Sequence, residues 1–218
     1  CLGYELMNKI KLNLGRVVEA MRQLQRGVVN TAFGQAYDIS LQKMNEWTED
    51  DVVSLHKAKT AIYTYENPLL IGAILGGSKL EVIETLKKYS MDGGVAFQLQ
   101  DDILGVFGDE EDTGKSADSD LLHGKCTLLA LKTLEMGDSR QKKDFEKVWG
   151  KVLATEEDVL KAKKAIIDSG SYKYSVDLAA SFAAKAQKTA NNLRQMKVNL
   201  EPVDYLEGIA MYMVNRKV

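Results

Sequence analysis

The sequence predicts an all-α protein that forms one domain over residues 1–218. Apolar residues recur at three- and four-residue spacing through most of the chain, which places them on one face of a helix. Proline occurs only twice, at Pro68 and Pro202, and the alternating pattern of strands is scarce. No repeat, low-complexity tract or linker divides the chain, so the predicted helices are expected to pack into one bundle.

The first half of the chain predicts three helices before the central one. The first is indicated by a spaced apolar set: Val17, Ala20, Met21, Leu24 and Val28. Thr48, followed by three acidic residues, predicts an N-cap and a helix that runs to about Tyr65. Asn67-Pro68 then predicts the start of a new helix, which ends at Gly76-Gly77.

The second half predicts a long central helix and several shorter ones. Ser78 is expected to cap the long helix, and Gly93-Gly94 inside it predicts close packing or a kink, because glycine costs about 1 kcal/mol relative to alanine there. The remaining elements are, in order, a loop over 109–120, a helix over 121–134, a helix to Gly170 behind a capping box at Thr155 and Asp158, a helix over 172–196, and a last helix opened by Pro202.

Composition excludes several classes of function. The net charge is −2 and no basic block occurs, which argues against nucleic acid as a partner. The longest apolar stretch, 68–77, is too short for a membrane span. The only cysteines are Cys1 and Cys126, which is no disulfide framework and predicts a cytoplasmic protein.

The most informative segment sets two adjacent carboxylates, Asp101 and Asp102, inside an apolar helical stretch. Burying unpaired carboxylates is costly, and such a pair suits Mg²⁺, which completes its coordination with water and phosphate oxygens. Gly114-Lys115 and Gly124-Lys125 follow, and lysine is a point charge for phosphate. The alternatives are an exposed acidic patch and two solvated lysines. We favour metal and phosphate chemistry in a helical cavity.

Other polar residues have less specific patterns. Gln98 lies three and four residues before the aspartate pair and therefore shares its side of the helix. Lys59-Thr60 lies within a mostly apolar helix, where the lysine either reaches water or points into a cavity.

Two further pairs are interpreted as structural. Gln35 and Asp38, three residues apart, are expected to form a local hydrogen-bonded pair. His56 and His123 have no cysteine or histidine at metal-ligand spacing, so we interpret both as ordinary surface or helix-end histidines.

Taken together, these segments resemble a known family. Residues 97–109, Phe-Gln-Leu-Gln-Asp-Asp-Ile-Leu-Gly-Val-Phe-Gly-Asp, resemble the second aspartate-rich motif of the trans-isoprenyl diphosphate synthases, the polyprenyl synthetases. Further matches follow the family's order: Gly34-Gln35 with Asp38, Lys59-Thr60-Ala61 with Tyr65 and Pro68-Leu69, Gly114-Lys115, and Gly124 to Leu129. The resemblance is strong over about residues 34–131.

The resemblance implies a fold and a reaction. The fold is an isoprenoid-synthase helical bundle around a central cavity, usually a homodimer. The reaction condenses isopentenyl diphosphate with an allylic diphosphate, to give products of the geranylgeranyl or farnesyl type. It proceeds by ionisation, condensation and elimination, and Mg²⁺ stabilises the charge on the leaving diphosphate.

The resemblance also implies residue roles. Asp101 and Asp102 would hold Mg²⁺. Lys59, Lys115 and Lys125 would contact the allylic diphosphate, while Thr60 and Gln98, with Lys59, would act at the reacting centre.

The chain departs from the family at three places. Gly105 replaces the third aspartate of the motif, and Cys126 stands where arginine often follows the lysine. No Asp-Asp-x-x-Asp motif precedes Gly34. We therefore expect that the family's N-terminal helices are missing and that this chain alone is inactive.

Two other functions stay open at this point. A non-catalytic regulatory subunit of a heteromeric prenyl synthase would explain the lost first motif, although the retained aspartates and lysines argue against it. A class I terpene cyclase shares the fold and the metals, but the Lys-Thr and Gly-Lys segments fit chain elongation better.

Overall fold

The computed structural model describes residues 2–44, 46–108 and 118–216. These residues form helices joined by turns, with no strand among them, which confirms the all-α prediction. The elements are, in order, α1 (Leu2–Asn8), α2 (Leu14–Leu41), α3 (Glu49–His56), a π-helix (Lys57–Glu66), α4 (Asn67–Gly76), α5 (Leu80–Phe107), α6 (Ser119–Leu122), α7 (Leu128–Met136), α8 (Ser139–Glu146), α9 (Glu156–Asp168), α10 (Ser171–Asn192), a 3₁₀ turn (Leu193–Gln195) and α11 (Leu200–Asn215).

One uninterrupted helical run, from α3 through the π-helix to α4, carries the Lys-Thr segment. The helix predicted to begin at Asn67-Pro68 does begin there, as α4, but the run is not interrupted, because Asn67 keeps helical dihedral angles and its N–H donates to the carbonyl of Ile62, five residues back. Pro68 lacks an N–H and so removes one backbone hydrogen bond from the run at this junction. Lys59 and Thr60 therefore lie in the wider winding of a π-helix, which is frequent at functional sites.

Several predicted helix ends are confirmed by their local chemistry. Thr48 caps α3 in a reciprocal capping box with Asp51. Gly77 ends α4 in the left-handed conformation, with φ of 73°. The Thr155 side chain accepts from the N–H of Asp158 at the start of α9.

Other boundaries differ from the predictions. Lys79, not Ser78, precedes the first residue of α5, and α11 begins at Leu200, ahead of Pro202. The predicted helix over 121–134 begins only at Leu128, because residues 123–127 turn out of the helical path through Gly124, whose φ is 66°. That turn carries Lys125.

The centre of the structure is α5, which packs against the π-helix on one side and α10 on another. Gly94 makes the first contact possible, since a Cβ there would lie 2.3 Å from the Cα of Ala61 in the π-helix. On the other side, α10 presents a buried row of small residues: Ala179, Ala183, Ala186 and Ala190. Because α5 is continuous, Gly93-Gly94 serves close packing and not a kink.

Within the described residues, none of the helices combines the length and the apolar character that crossing a bilayer requires.

The Gly94 contact gives a test of this packing. We expect Gly94→Ala to lower the free energy of unfolding by about 1–3 kcal/mol, because the added methyl group meets the backbone of Ala61 and overpacks the crossing. Urea denaturation measures the change. Gly208→Ala is the matched control. Gly208 lies inside α11, and a Cβ built there would have no described atom within 4 Å apart from its own helix backbone, so this change should stabilise the protein by about 0.5–1 kcal/mol. A Gly94→Ala protein as stable as the wild type would contradict the packing described here.

Candidate active site

A small cavity lies where α2, the π-helix, α5 and the turn at residues 123–127 meet. Its walls include Lys59, Thr60, Gln98, Asp102 and Lys125, five of the residues that the sequence predicted. Asp101 lies beside Asp102 on α5, and Lys115 lies outside the described residues. Residues far apart in the sequence thus converge as the family resemblance implies, although the roles assigned to them stay predictions.

Asp102 is the buried centre of this group, with 2% of its surface exposed. Its carboxylate receives three donors: Gln98 Nε2 at 3.0 Å, Lys125 Nζ at 2.9 Å and His56 Nε2 at 3.1 Å. Burial alone would raise the pKa of Asp102, but the charge of Lys125 and the bonds from His56 and Lys125 outweigh it. They hold this pKa well below its usual range.

Lys125 is held between two carboxylates. Its Nζ lies 2.9 Å from Asp102 Oδ1 and 2.9 Å from Asp120 Oδ2. Burial would lower the pKa of Lys125, but the two aspartates raise it above its ordinary value. An ammonium group carries three donors, so the third N–H can reach a ligand oxygen from a fixed position.

Asp120 occupies the space left by Gly105, where the family motif has its third aspartate. A Cβ at Gly105 would lie 2.4 Å from Asp120 Oδ2. Burial raises the pKa of Asp120 against the opposing effect of Lys125, and the charges of Asp102 and Asp101 raise it further. A carboxylate therefore lies next to Gly105 after all, contributed by the turn α6. Asp120 stands at the end of the loop predicted over 109–120, and no functional role is predicted for it from the sequence.

Asp101 is the more accessible member of the pair, with 38% of its side chain exposed. Gln98 Nε2 and Arg216 Nη2 each lie 3.4 Å from its carboxylate. The guanidinium of Arg216 also lies over the ring of Phe97, 4.5 Å from the centroid. These longer contacts leave Asp101 open to an added cation.

Gln98 and Thr60 orient each other across the helix crossing. Thr60 Oγ1 donates to Gln98 Oε1 at 2.6 Å, which directs the Gln98 NH₂ group toward the aspartate pair. Because the hydroxyl hydrogen is used in this bond, the lone pairs of the Thr60 oxygen are free to face other groups.

Lys59 is positioned by a residue of α2. Its Nζ lies 2.5 Å from Asp38 Oδ2, and Asp38 is buried. The expected local pair between Gln35 and Asp38 is therefore wrong: Gln35 is exposed, and Asp38 bonds across the helix packing to Lys59.

His56 stands at the end of α3, one of the two predicted alternatives, but it is not a surface histidine. It is buried, with 4% exposed, and bonds Asp102, whereas His123 is exposed near the end of α6 as predicted. A signal was available in the sequence, since His56 precedes Lys59 by three residues and Thr60 by four and so shares their side of a helix.

Cys126 lines the same cavity as a neutral group. Burial raises the pKa of its thiol to about 11, and the charge of Asp38 adds to the effect. The family's frequent arginine at this position is thus replaced by an uncharged thiol beside Lys125.

The residues present fit a magnesium ion bound through few protein ligands. Within the described part of the chain, no group of three or more histidine, cysteine, aspartate or glutamate side chains could enclose a metal ion. Mg²⁺ commonly takes one or two carboxylates and completes its shell with water and phosphate oxygens. The open carboxylate of Asp101 is suited to that role, whereas the oxygens of Asp102 already accept three donors.

The depressed pKa of Asp102 predicts a pH dependence of stability. Its folded pKa lies below the unfolded value of about 4, so its contribution is present above that pH and is lost as the pH falls. We expect Asp102→Asn to destabilise the protein at pH 6–7, and the difference from the wild type to shrink as the pH falls toward about 3. Urea midpoints across this range measure it. Asp101→Asn is the control and should show a smaller difference, because Asp101 is more exposed. A pH-independent difference for Asp102→Asn would contradict the assignment.

Comparison with known proteins places this geometry in context. The chain is 32% identical over 185 residues to the geranylgeranyl diphosphate synthase of Saccharolobus solfataricus, a match that covers 84% of this chain and 54% of that protein. It is 31% identical over 215 residues to the geranylgeranyl diphosphate synthase of Methanosarcina mazei, covering 99% of this chain and 63% of that protein. The chain therefore spans between half and two thirds of the length of these relatives.

Solved structures share the fold. The structure of geranylgeranyl pyrophosphate synthase from Corynebacterium glutamicum, complexed with isoprenyl diphosphate and magnesium, superimposes with a TM-score of 0.86 at 26% identity. The match covers 94% of this chain and 57% of that one. This agreement confirms the isoprenoid-synthase bundle that the resemblance implied. The family model described as polyprenyl synthetase matches residues 1–166, and this chain therefore belongs to the polyprenyl synthetase family.

Proposed function

We propose that this chain acts in the condensation of isopentenyl diphosphate with an allylic diphosphate, giving a short-to-medium polyprenyl diphosphate of the geranylgeranyl or farnesyl type. The observation that carries the proposal is the fixed ammonium of Lys125, held by Asp102 and Asp120 beside the open carboxylate of Asp101. A cation and a site for a second cation lie next to each other, which is the arrangement that a diphosphate leaving group needs.

The reaction breaks the bond between the allylic C1 and the diphosphate oxygen, and the electron pair leaves with the diphosphate. Mg²⁺ supplies Lewis-acid stabilisation of that leaving charge and would be held by Asp101, with Asp102 behind it. Lys125 donates its remaining N–H to the leaving oxygens. Lys59, kept in place by Asp38, adds a second donor.

The carbon left behind is a cation, and the groups near it must stabilise positive charge. Thr60 is suited to this role, because its hydroxyl hydrogen bonds Gln98 and its oxygen lone pairs stay free. The double bond of isopentenyl diphosphate attacks C1 and forms the new C–C bond, and loss of one proton from the adduct restores a double bond. The transferred group is thereby lengthened by one isoprene unit.

The relatives support this assignment. The proteins from S. solfataricus and M. mazei are described as geranylgeranyl diphosphate synthases, and the C. glutamicum structure holds isoprenyl diphosphate and magnesium. The retained cluster of Asp102, Lys125 and Lys59 at one cavity favours the enzyme over a non-catalytic subunit, because a subunit released from catalysis need not keep these residues. The homodimer and the cytoplasmic location stay predictions.

Diphosphate binding tests the proposal directly. We expect the wild-type chain to bind inorganic diphosphate in the presence of Mg²⁺, and Lys125→Ala to weaken that binding by about ten- to a hundredfold through loss of a charged hydrogen bond. Isothermal titration calorimetry measures the affinity. Lys173→Ala is the control, since Lys173 is exposed and pairs only with Asp177 on its own helix. Because Lys125→Ala also removes one of the three donors to the buried Asp102, Lys59→Ala serves as a second variant at a more exposed position. Wild-type affinity in both variants would refute the proposal.

Turnover is a separate question. The chain carries no Asp-Asp-x-x-Asp motif, so we expect residues 1–218 alone to bind diphosphate without elongating it. The chain is incubated with geranyl or farnesyl diphosphate, labelled isopentenyl diphosphate and Mg²⁺, and extractable label is counted. Appreciable product would show that one aspartate motif suffices for the reaction.

A further inference from the structure

The second tryptophan of the chain, Trp149, lies against the backbone of Lys125. Its indole Nε1–H donates to the Lys125 carbonyl at 3.2 Å. The same carbonyl accepts from the N–H of Thr127 at 2.9 Å, so both of its lone pairs have a partner. Lys125 belongs to the non-helical turn of residues 123–127 and has no helix of its own to fix it.

The segment around Trp149 also contacts the end of α6 and the Lys125 turn that follows it, once each. The N–H of Gly150 donates to the carbonyl of Leu121 at 3.0 Å. Gly124 and Gly150 both have positive φ, and a Cβ at Gly124 would lie 3.0 Å from the Cα of Gly150. A side chain at Gly124 would therefore crowd the backbone of Gly150, and the Trp149 segment restricts where the turn can lie.

Trp149 is itself held between other aromatic rings. Its ring stacks on Trp47 with centroids 5.3 Å apart, and on Phe145 with centroids 5.9 Å apart. Trp47 directly precedes Thr48, the cap of the helical run that carries His56 and Lys59. The stack thus connects the backbone of the Lys125 turn to the start of the Lys59 helix.

We propose that Trp149 is a positioning residue for the diphosphate-binding ammonium, acting through its indole N–H bond to the carbonyl of Lys125. The proposal rests on the proposed function of Lys125. The two aspartates hold the end of the Lys125 side chain, and Trp149 holds its backbone, so the ammonium is fixed at both ends. Losing the indole bond lets the turn shift and moves the third N–H away from the diphosphate.

The chain supplies a matched pair of variants. Trp149→Phe keeps an aromatic ring in the stack and removes the indole N–H that bonds Lys125, together with part of the side-chain volume. Trp47→Phe removes the same group from the neighbouring ring, but the Trp47 Nε1 is buried without a partner among the described residues. A general effect of aromatic truncation should appear in both variants, whereas a positioning effect should appear in Trp149→Phe alone.

Amide hydrogen exchange measures how firmly the turn is held, and it needs no ligand. We expect the amides of residues 123–127 to exchange hydrogen about three- to tenfold faster in Trp149→Phe than in the wild type, the range that a net hydrogen bond accounts for. Trp47→Phe should exchange like the wild type in this segment. Equal exchange in all three proteins, or equal acceleration in both variants, would overturn the positioning role.

Diphosphate affinity tells whether the turn acts through Lys125. We expect Trp149→Phe to weaken Mg²⁺–diphosphate binding by about three- to tenfold, and to have no further effect when Lys125→Ala is already present. Independent, multiplied losses in the double variant would overturn the proposal. A wild-type chain that binds no diphosphate would refute the proposed function, while the exchange data would still decide the positioning of the turn.

Discussion

The site depends on one buried carboxylate, that of Asp102. A single charge in this environment is tolerated only when hydrogen-bond donors and a counter-charge surround it. The donors come from three places in the chain: His56 at the end of α3, Gln98 one turn earlier on α5, and Lys125 in the turn after α6. Satisfying Asp102 therefore requires these three segments to lie in fixed positions relative to one another, and the same arrangement brings Lys59 and Thr60 to one cavity, with Asp101 next to Asp102.

The sequence specified the helices well where apolar periodicity and caps agree, as at Thr48 and Gly77. It failed where tertiary packing overrides local preference. Asn67-Pro68 favours a separate helix in isolation, yet Asn67 stays helical and bonds the carbonyl of Ile62, so the helical run continues into α4. The turn at residues 123–127 is predicted as helix because it lies between two leucine-rich segments, 121–122 and 128–134, while Gly124 at positive φ directs the chain elsewhere.

The site residues divide in the same way. Asp102, Lys125 and Lys59 could be named from motifs, because carboxylate pairs and Gly-Lys units have a chemistry of their own. Their partners could not be named so readily. Asp38 and Asp120 look like ordinary acidic residues until the fold places them against Lys59 and Lys125, since an ion pair between distant segments leaves no local pattern. Gly105 is an example: the motif lacks its third aspartate there, and the carboxylate of Asp120, from the neighbouring turn α6, lies next to that position.

The π-helix of residues 57–66 has a consequence for how this surface can change. An α-helix turns by about 100° per residue and the wider π winding turns by less, so the rotation accumulated over residues 57–66 differs from that of an α-helix of the same length. Deleting a residue after Thr60 to restore α-helical winding would change that rotation. Lys59 and Thr60 would keep their place relative to α3, while the buried Leu70 of α4 would be oriented differently toward α2 and α5. The π-helix therefore sets the angle between the polar groups of the Lys-Thr segment and the residues of α4 within one continuous helical run. For that reason the length of this segment is as constrained as its composition.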